Sequence, residues 1–194
     1  MQKSSASGVT LARGPWPPIT PTPMPETPPS PTPHEPRLTQ ALRTLLSSHR
    51  VAALGTLSPD GRPFVSMVPF ALETSAPCLV IHVSTLAPHT RNLHMNAAVS
   101  VMVMQAEQTN APVHALPRIT LQGQATVLVP DSPEWVAARA AYLSRFPEAE
   151  PMTQMGDFMF IAIALQAAHQ VAGFGAARSL DATALAQMLG TDKA

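Results

Sequence analysis

Leu38, Leu42, Leu45 and Leu46 fall at i, i+4, i+7 and i+8, which predicts an amphipathic helix over about 37–48. The pattern then changes. Val51–Leu57 is a small apolar run, Ser58-Pro59-Asp60-Gly61 is a strong turn signal, and Phe64–Leu72 reads as a strand, so the three together predict a β-hairpin. A break at Glu73–Pro77 leads to a strand at Cys78–Ser84. Pro88 opens a short helix to about Asn96, because proline is tolerated at a first helical position. Val99–Met104 alternates as a strand, 105–116 is a loop, and Arg118–Val129 is a long strand. Ser132-Pro133-Glu134 starts a helix to about Ser144, with serine as its cap. Phe158–Leu165 and Gln170–Phe174 read as the last strands, and Asp181 caps a final helix on which Leu180 packs against Leu185. About seven strands and four short helices, joined by tight turns, require antiparallel neighbours and predict a mainly β, compact barrel.

Composition sharpens this picture. Residues 1–36 hold 11 of the 22 prolines, so this leader has neither a helical nor a strand pattern and is expected to be disordered or polyproline-like. Its deletion is expected to leave stability unchanged. The domain organisation expected is therefore a leader over 1–36, a barrel over 37–178 and a C-terminal helix and tail over 179–194. Twelve basic and twelve acidic residues cancel, which argues against nucleic acid and against an anionic membrane surface as partners. The longest apolar run, Phe158–Leu165, is too short to span a bilayer, so a soluble, cytoplasmic protein is expected. Charged residues are only 12% of the chain, which points to surface hidden in a core or in a subunit interface.

Chemical constellations are sparse. The single cysteine, Cys78, reads as a small hydrophobe at a strand start. His89 and His94 are five apart and lie about 140° from each other on a helix, so they do not share a metal, and no metal site is expected. Asp157 reads as a turn residue, and Gly173-Phe174-Gly175 as a turn, since Arg178 stands where a dinucleotide fingerprint needs glycine. The segment Ser84–Asn92 says more. A strand ends in Ser84-Thr85 and a helix begins at Pro88, with His89, Thr90 and Arg91 in its first turn. Free N–H groups, a hydroxyl and a guanidinium suit a phosphate, and solvated helix residues are the alternative.

Val51–Leu57, the Pro-Asp-Gly turn, Phe64–Ala71, Ser84–Leu93, Arg118–Gly123, Gly156-Asp157-Phe158 and Val171–Gly175 together resemble the pyridoxamine 5′-phosphate oxidase-like superfamily, in particular its haem-utilisation branch. The resemblance covers about 40–178. It implies an FMN-binding split β-barrel of about six to seven antiparallel strands, paired as a homodimer with flavin at the interface. The flavin-contacting strand maps onto Ser66, Met67, Val68 and Pro69, the phosphate segment onto Ser84, Thr85, His89, Thr90 and Arg91, and a further polar contact onto Arg118. It thus implies an FMN-dependent oxidoreductase acting on a small-molecule substrate. A haem-binding or haem-utilisation protein, and a flavin module without turnover, are the alternatives. Two departures bear on function. Ala172–Arg178 lacks the Arg-x-His pair that pyridoxamine phosphate oxidases carry, which argues against vitamin B6 oxidation. Haem-degrading relatives use a histidine in a C-terminal extension, and residues 170–194 contain none, leaving His169 as the nearest candidate.

Overall fold

The computed structural model describes residues 35–110 and 112–190. The leader over 1–34 and the tail over 191–194 lie outside the described residues, and the helical reading begins earlier than expected, at Glu35. The elements in chain order are α1 (Glu35–Ser48), β1 (Val51–Leu57), β2 (Pro63–Pro69), β3 (Ala71–Glu73), β4 (Cys78–Ser84), α2 (Pro88–Met95), β5 (Ala98–Met104), β6 (Arg118–Val127), α3 (Pro133–Arg145), β7 (Phe158–Val171), β8 (Ala177–Asp181) and α4 (Ala182–Leu189). Short 3₁₀ turns lie at Val113–Ala115 and Pro147–Gln154.

The strands form one curled antiparallel sheet in the order β2-β1-β5-β6-β7-β4-β3, with β8 pairing on β7. Together with the helices this makes a mixed α/β fold, with eight strands among the described residues where the hydrophobic pattern predicts about seven. Three differences account for the count. The run Phe64–Leu72 breaks at Phe70, whose fully buried ring plugs the core while its N–H donates to Arg50's carbonyl; β2 stays with β1, and β3 crosses to β4. The two strands expected over 158–174 are largely one, β7, of 14 residues. Its first half is covered on both faces and is therefore continuously apolar. Its second half pairs with β8 and carries the exposed Gln166 and His169, which interrupt the apolar run. Residues 172–176 are the turn, and β8 follows it.

Two cores hold this sheet. Inside the curl, Leu54, Val68, Ile81, Val101, Leu121, Ile161 and Ile163 meet Leu42 and Leu46 of α1 and Leu185 and Leu189 of α4. On the other side of β4 and β7, Val80 and Phe160 pack against Ala138 and Tyr142 of α3 and against Phe146 and Ala149 beyond its end. Each fully buried side chain of this size stabilises the fold by about 1.5–3 kcal/mol. The caps fall where the sequence places them: Ser132 Oγ accepts from Trp135 N at 3.2 Å, and Asp181 Oδ1 accepts from Ala184 N at 2.8 Å.

A polar knot ties the two ends of the fold together. The buried Gln170 donates through Nε2 to Leu38's carbonyl at 2.8 Å and accepts from Arg178 Nε at 2.8 Å. Arg178 also reaches Thr39 Oγ1, and Arg43 Nε donates to Met188's carbonyl at 2.8 Å. α1, β7, β8 and α4 are thereby locked to one another.

Candidate functional site

The corner where β4 turns into α2 lies over the mouth of the curl at β1 and β2. Ser66 and Val68 point inward from β2, while Met67 points outward and Pro69 lies in the outward register. Ser66 Oγ lies 3.0 Å from His89 Nδ1, and Asn92 Nδ2 donates to Thr56 Oγ1 at 3.0 Å, so α2 is pinned to both strands by polar pairs. Ser84 supports the turn twice: its Oγ accepts from Leu86 N at 3.2 Å and its carbonyl accepts from Thr90 Oγ1 at 2.6 Å. Thr85 N donates to Asp157's carbonyl at 2.8 Å, which makes Asp157 the turn residue its sequence context suggests. Burial pushes the His89 imidazole below its ordinary range, and its Nε2 is buried without a partner.

This corner is poorly furnished for a phosphate. Pro88 has no N–H, and the N–H groups of Thr90 and Arg91 both donate to Ala87's carbonyl. Ala87, the N-cap, offers no side-chain acceptor or donor, and the hydroxyls of Ser66, Ser84 and Thr90 are engaged with protein partners.

The outer face of the sheet has a different character. Strand register lays out transverse rows there. One row runs Met67, Ala53, Met102, Thr120, His169 and Ser179; beside it Pro69 pairs with Val51 on β2-β1, and Met104, Arg118, Val171 and Ala177 continue in register across β5-β6-β7-β8. On the other side of the first row lie Val65, Gly55, Ser100 and Gln122. The β2-β1-β5 half is apolar and exposed, with Val65 and Met67 each about two-thirds accessible. The β6-β7-β8 half is polar. A hollow of about 270 Å³ opens beside Gly55, between Val65 and Ser100. Arg118 Nη1 donates to Leu116's carbonyl at 3.1 Å, and His169 Nδ1 lies 3.4 Å from Ser179 Oγ. Arg118 and the Ser66–His89 corner are thus on opposite faces and several strands apart, so one chain does not bring them together.

Residues 38–172 match the profile of the family described as pyridoxamine 5′-phosphate oxidase, most of the described fold. The chain belongs to the pyridoxamine 5′-phosphate oxidase-like family. Among its relatives, the heme oxygenase HutZ of Vibrio cholerae is 30% identical over 142 residues, covering 73% of this chain and 80% of that protein. The non-canonical heme oxygenase HOZ, chloroplastic, of Arabidopsis thaliana is 33% identical over 140 residues, covering 71% of this chain and 41% of that one. The structure of a heme binding protein from Mycobacterium smegmatis superposes with a TM-score of 0.68 at 31% identity, over 77% of this chain and 60% of that chain. The chain thus spans less than two-thirds of the length of the last two.

These relatives correct the expectation of FMN. The three relatives just described are named for haem, and the haem alternative replaces the flavin oxidoreductase as the reading to develop.

Sequence reasoning missed several polar residues that the fold uses. Thr56 and Asn92 pair in a buried position that no spacing rule connects. His82, within an apolar strand, is enclosed by Phe158, Phe160 and Tyr142. The His169–Ser179 pair depends on β8, which the Gly173-Phe174-Gly175 turn on one side and the Asp181 cap on the other conceal. That turn is confirmed, with φ of 140° at Gly173 and 70° at Gly175. Cys78 lies in a groove of about 600 Å³ between β4, β7 and the start of α3. Burial, and then the charge of Glu73, push its thiol up to about 11, so it stays protonated and behaves as a small apolar group.

Proposed function

We propose that this protein binds haem and serves haem utilisation, with its site built at a seam between two copies. The observation that supports the reading best is the alignment over nearly the whole described fold with proteins named heme oxygenases, at 30% and 33% identity. The surface is compatible with it. Haem is a flat apolar ring with an anionic edge, and the outer sheet face joins exposed methionine and valine to an arginine.

Two features support a homodimer. The apolar half of the outer face, from Val65 to Met104, is the surface a second copy would cover. The strand Ser66–Pro69, the corner Ser84–Arg91 and Arg118 border one site only if two chains supply them, because a single chain holds them on separate faces. In that site Arg91 and Arg118 face carboxylates of the ligand. Among the described residues no helix is long and apolar enough to cross a membrane. We place the protein in the cytoplasm.

Haemin titrated into the purified full chain tests the reading. A saturable Soret shift at about one haem per chain is the expected result; no shift at any ratio overturns it. Loss of the Soret band on adding a reductant in air then separates turnover from storage.

A further inference from the structure

α3 covers the outward face of β4 and β7 only in part. Along β7 the inward residues Ile161 and Ile163 are large and fully buried, and the outward residues Ala162 and Ala164 are small. Close approach of α3 accounts for Ala162, which packs against the cluster of Val80, Ala138 and Tyr142. Ala164 has no such cover. It is exposed and pairs with Cys78, which pairs in turn with Glu73 across the β3–β4 hairpin, so the three lie in one row. The groove of about 600 Å³ runs over this row, with the start of α3 as its wall and the turn residues Ser75, Ala76 and Pro77 at one end. Small-molecule pockets span about 300–1,000 Å³. The seam proposed above uses β2, β1 and β5, and β6 separates those strands from β7 and β4.

Two carboxylates are the only charged side chains among the described residues lining this groove. Glu73 is fixed in position: Oε1 accepts from Ser75 N at 2.9 Å and from Ser75 Oγ at 2.8 Å, and Oε2 accepts from Ala76 N at 2.7 Å. Burial raises its pKa, but these bonds outweigh burial and hold the carboxyl below its ordinary range, so it is ionised at neutral pH. Oε2, with one bond, keeps acceptor capacity. Glu134 stands in the first turn of α3, exposed and with no ion-pair partner among the described residues. The groove thus joins a neutral floor of Cys78, Ala162 and Ala164 to two negative charges that no lining cation offsets.

We infer that this groove binds a small amphipathic cation, a protonated amine carried on an apolar body. The body lies over Cys78 and Ala164, out of water, and the ammonium donates to Glu73 Oε2. Glu134 adds attraction from the α3 side. The arrangement selects by charge. A neutral body of the same shape loses the ammonium–carboxylate bond, and an anion meets two like charges. Haem, with its anionic edge, is among the ligands turned away, so occupancy of the groove is independent of haem at the seam. The chain's single cysteine lies in the groove and reports on it, because a bound apolar body covers Cys78 Sγ.

The test uses the full chain and the rate at which methyl methanethiosulfonate, a small neutral reagent, modifies Cys78. The rate is read by intact mass at about pH 9, where an alkylamine is still protonated and the thiol reacts measurably. Phenylbutylamine is expected to slow the modification saturably. Phenylbutanol should protect about tenfold more weakly, and phenylbutyrate not at all. Glu73→Gln should weaken protection by phenylbutylamine about tenfold. Glu134→Gln, at an exposed position, should weaken it about threefold and keep the parent Tm. Ala164→Phe fills the groove from an exposed position and should remove the saturation-transfer signal that the parent gives with phenylbutylamine in nuclear magnetic resonance. Equal protection by amine, alcohol and carboxylate, no protection by any of them, or glutamine variants that bind the amine like the parent, overturns the inference. Protection by an alternating lysine–leucine peptide but not by phenylbutylamine assigns the groove to a partner protein and likewise overturns it. These outcomes are the same with and without haem, so a failure here leaves the proposed function standing.

Discussion

His82 lies within an aromatic enclosure, its ring 5.2 Å from Phe158, 4.4 Å from Phe160 and 5.7 Å from Tyr142, with Nδ1 buried and unpartnered. Burial lowers its pKa from 6.5 to about 4. As pH falls, the unfolded chain takes the proton first. Stability contributed by the neutral ring is complete above the unfolded value and is lost as pH falls from 6.5 towards about 4. Over the whole window the loss is roughly 3 kcal/mol. His82→Phe retains a ring and removes the titration, so its Tm should decline less than the parent's across this range. His89, lowered in the same direction, retains part of the slope. An unchanged pH profile of Tm by circular dichroism would show that the His82 enclosure does not exclude the proton. Gly123 is a second site where one atom decides. It stands where β6 shifts register against β7, and a Cβ there would collide with Ala164's carbonyl oxygen. Gly123→Ala should therefore cost about 1–3 kcal/mol, measured by urea unfolding. Glycine's role here was invisible in the sequence, because the close neighbour is 41 residues away along the chain.

At the scale of elements, the helices were legible and the strand boundaries less so. α1 was legible from its leucine spacing, and α3 and α4 from their serine and aspartate caps, because those signals are local. The division of β2 from β3 was not, since Phe70 leaves one strand partner for another only when the rest of the sheet is in place. Helix docking was equally hidden. α1 has no basic residue in its last turn, and Arg145 of α3 supplies the cation. Its Nη2 donates to the carbonyls of Leu46 at 2.9 Å, Ser47 at 3.1 Å and His49, and its guanidinium lies 4.9 Å over the Phe70 ring. Arg145→Ala should destabilise the fold by about 2–3 kcal/mol, since charge-assisted bonds are lost and helix carbonyls are left without a donor. Arg145→Lys should recover only part of this, because an ammonium neither forks across several carbonyls nor stacks on a ring. Denaturant midpoints of the two variants and the parent give the comparison; a lysine variant as stable as the parent would mean that charge alone matters.

For the whole molecule, the sequence revealed the family and most of the barrel, while the candidate site remained distributed. Ser66, His89 and Arg118 are correctly placed on a strand, a helix and a strand start, yet whether they meet depends on sheet curvature and on a second chain. The proposed seam makes a direct forecast. Met67→Glu sets a charge in the middle of the exposed apolar half, where pairing would bury it, and a buried unpaired charge is prohibitive. Sedimentation should find the parent as a dimer and Met67→Glu as a monomer with an unchanged circular dichroism spectrum. A parent that sediments as a monomer would remove the seam and with it the two-chain site.

The long strand β7 has a consequence for how the protein is made. It is the seventh strand in chain order, yet it supplies partners to β4, β6 and β8. Until residues 158–171 leave the ribosome, β4 and β6 each keep an open edge, and the inner core lacks Ile161 and Ile163. Translation therefore leaves the β4 edge open from residue 84 and the β6 edge open from residue 127 until β7 is made, and such edges recruit other chains. A message truncated before codon 158 should yield not a smaller soluble barrel but an aggregate or a chaperone client.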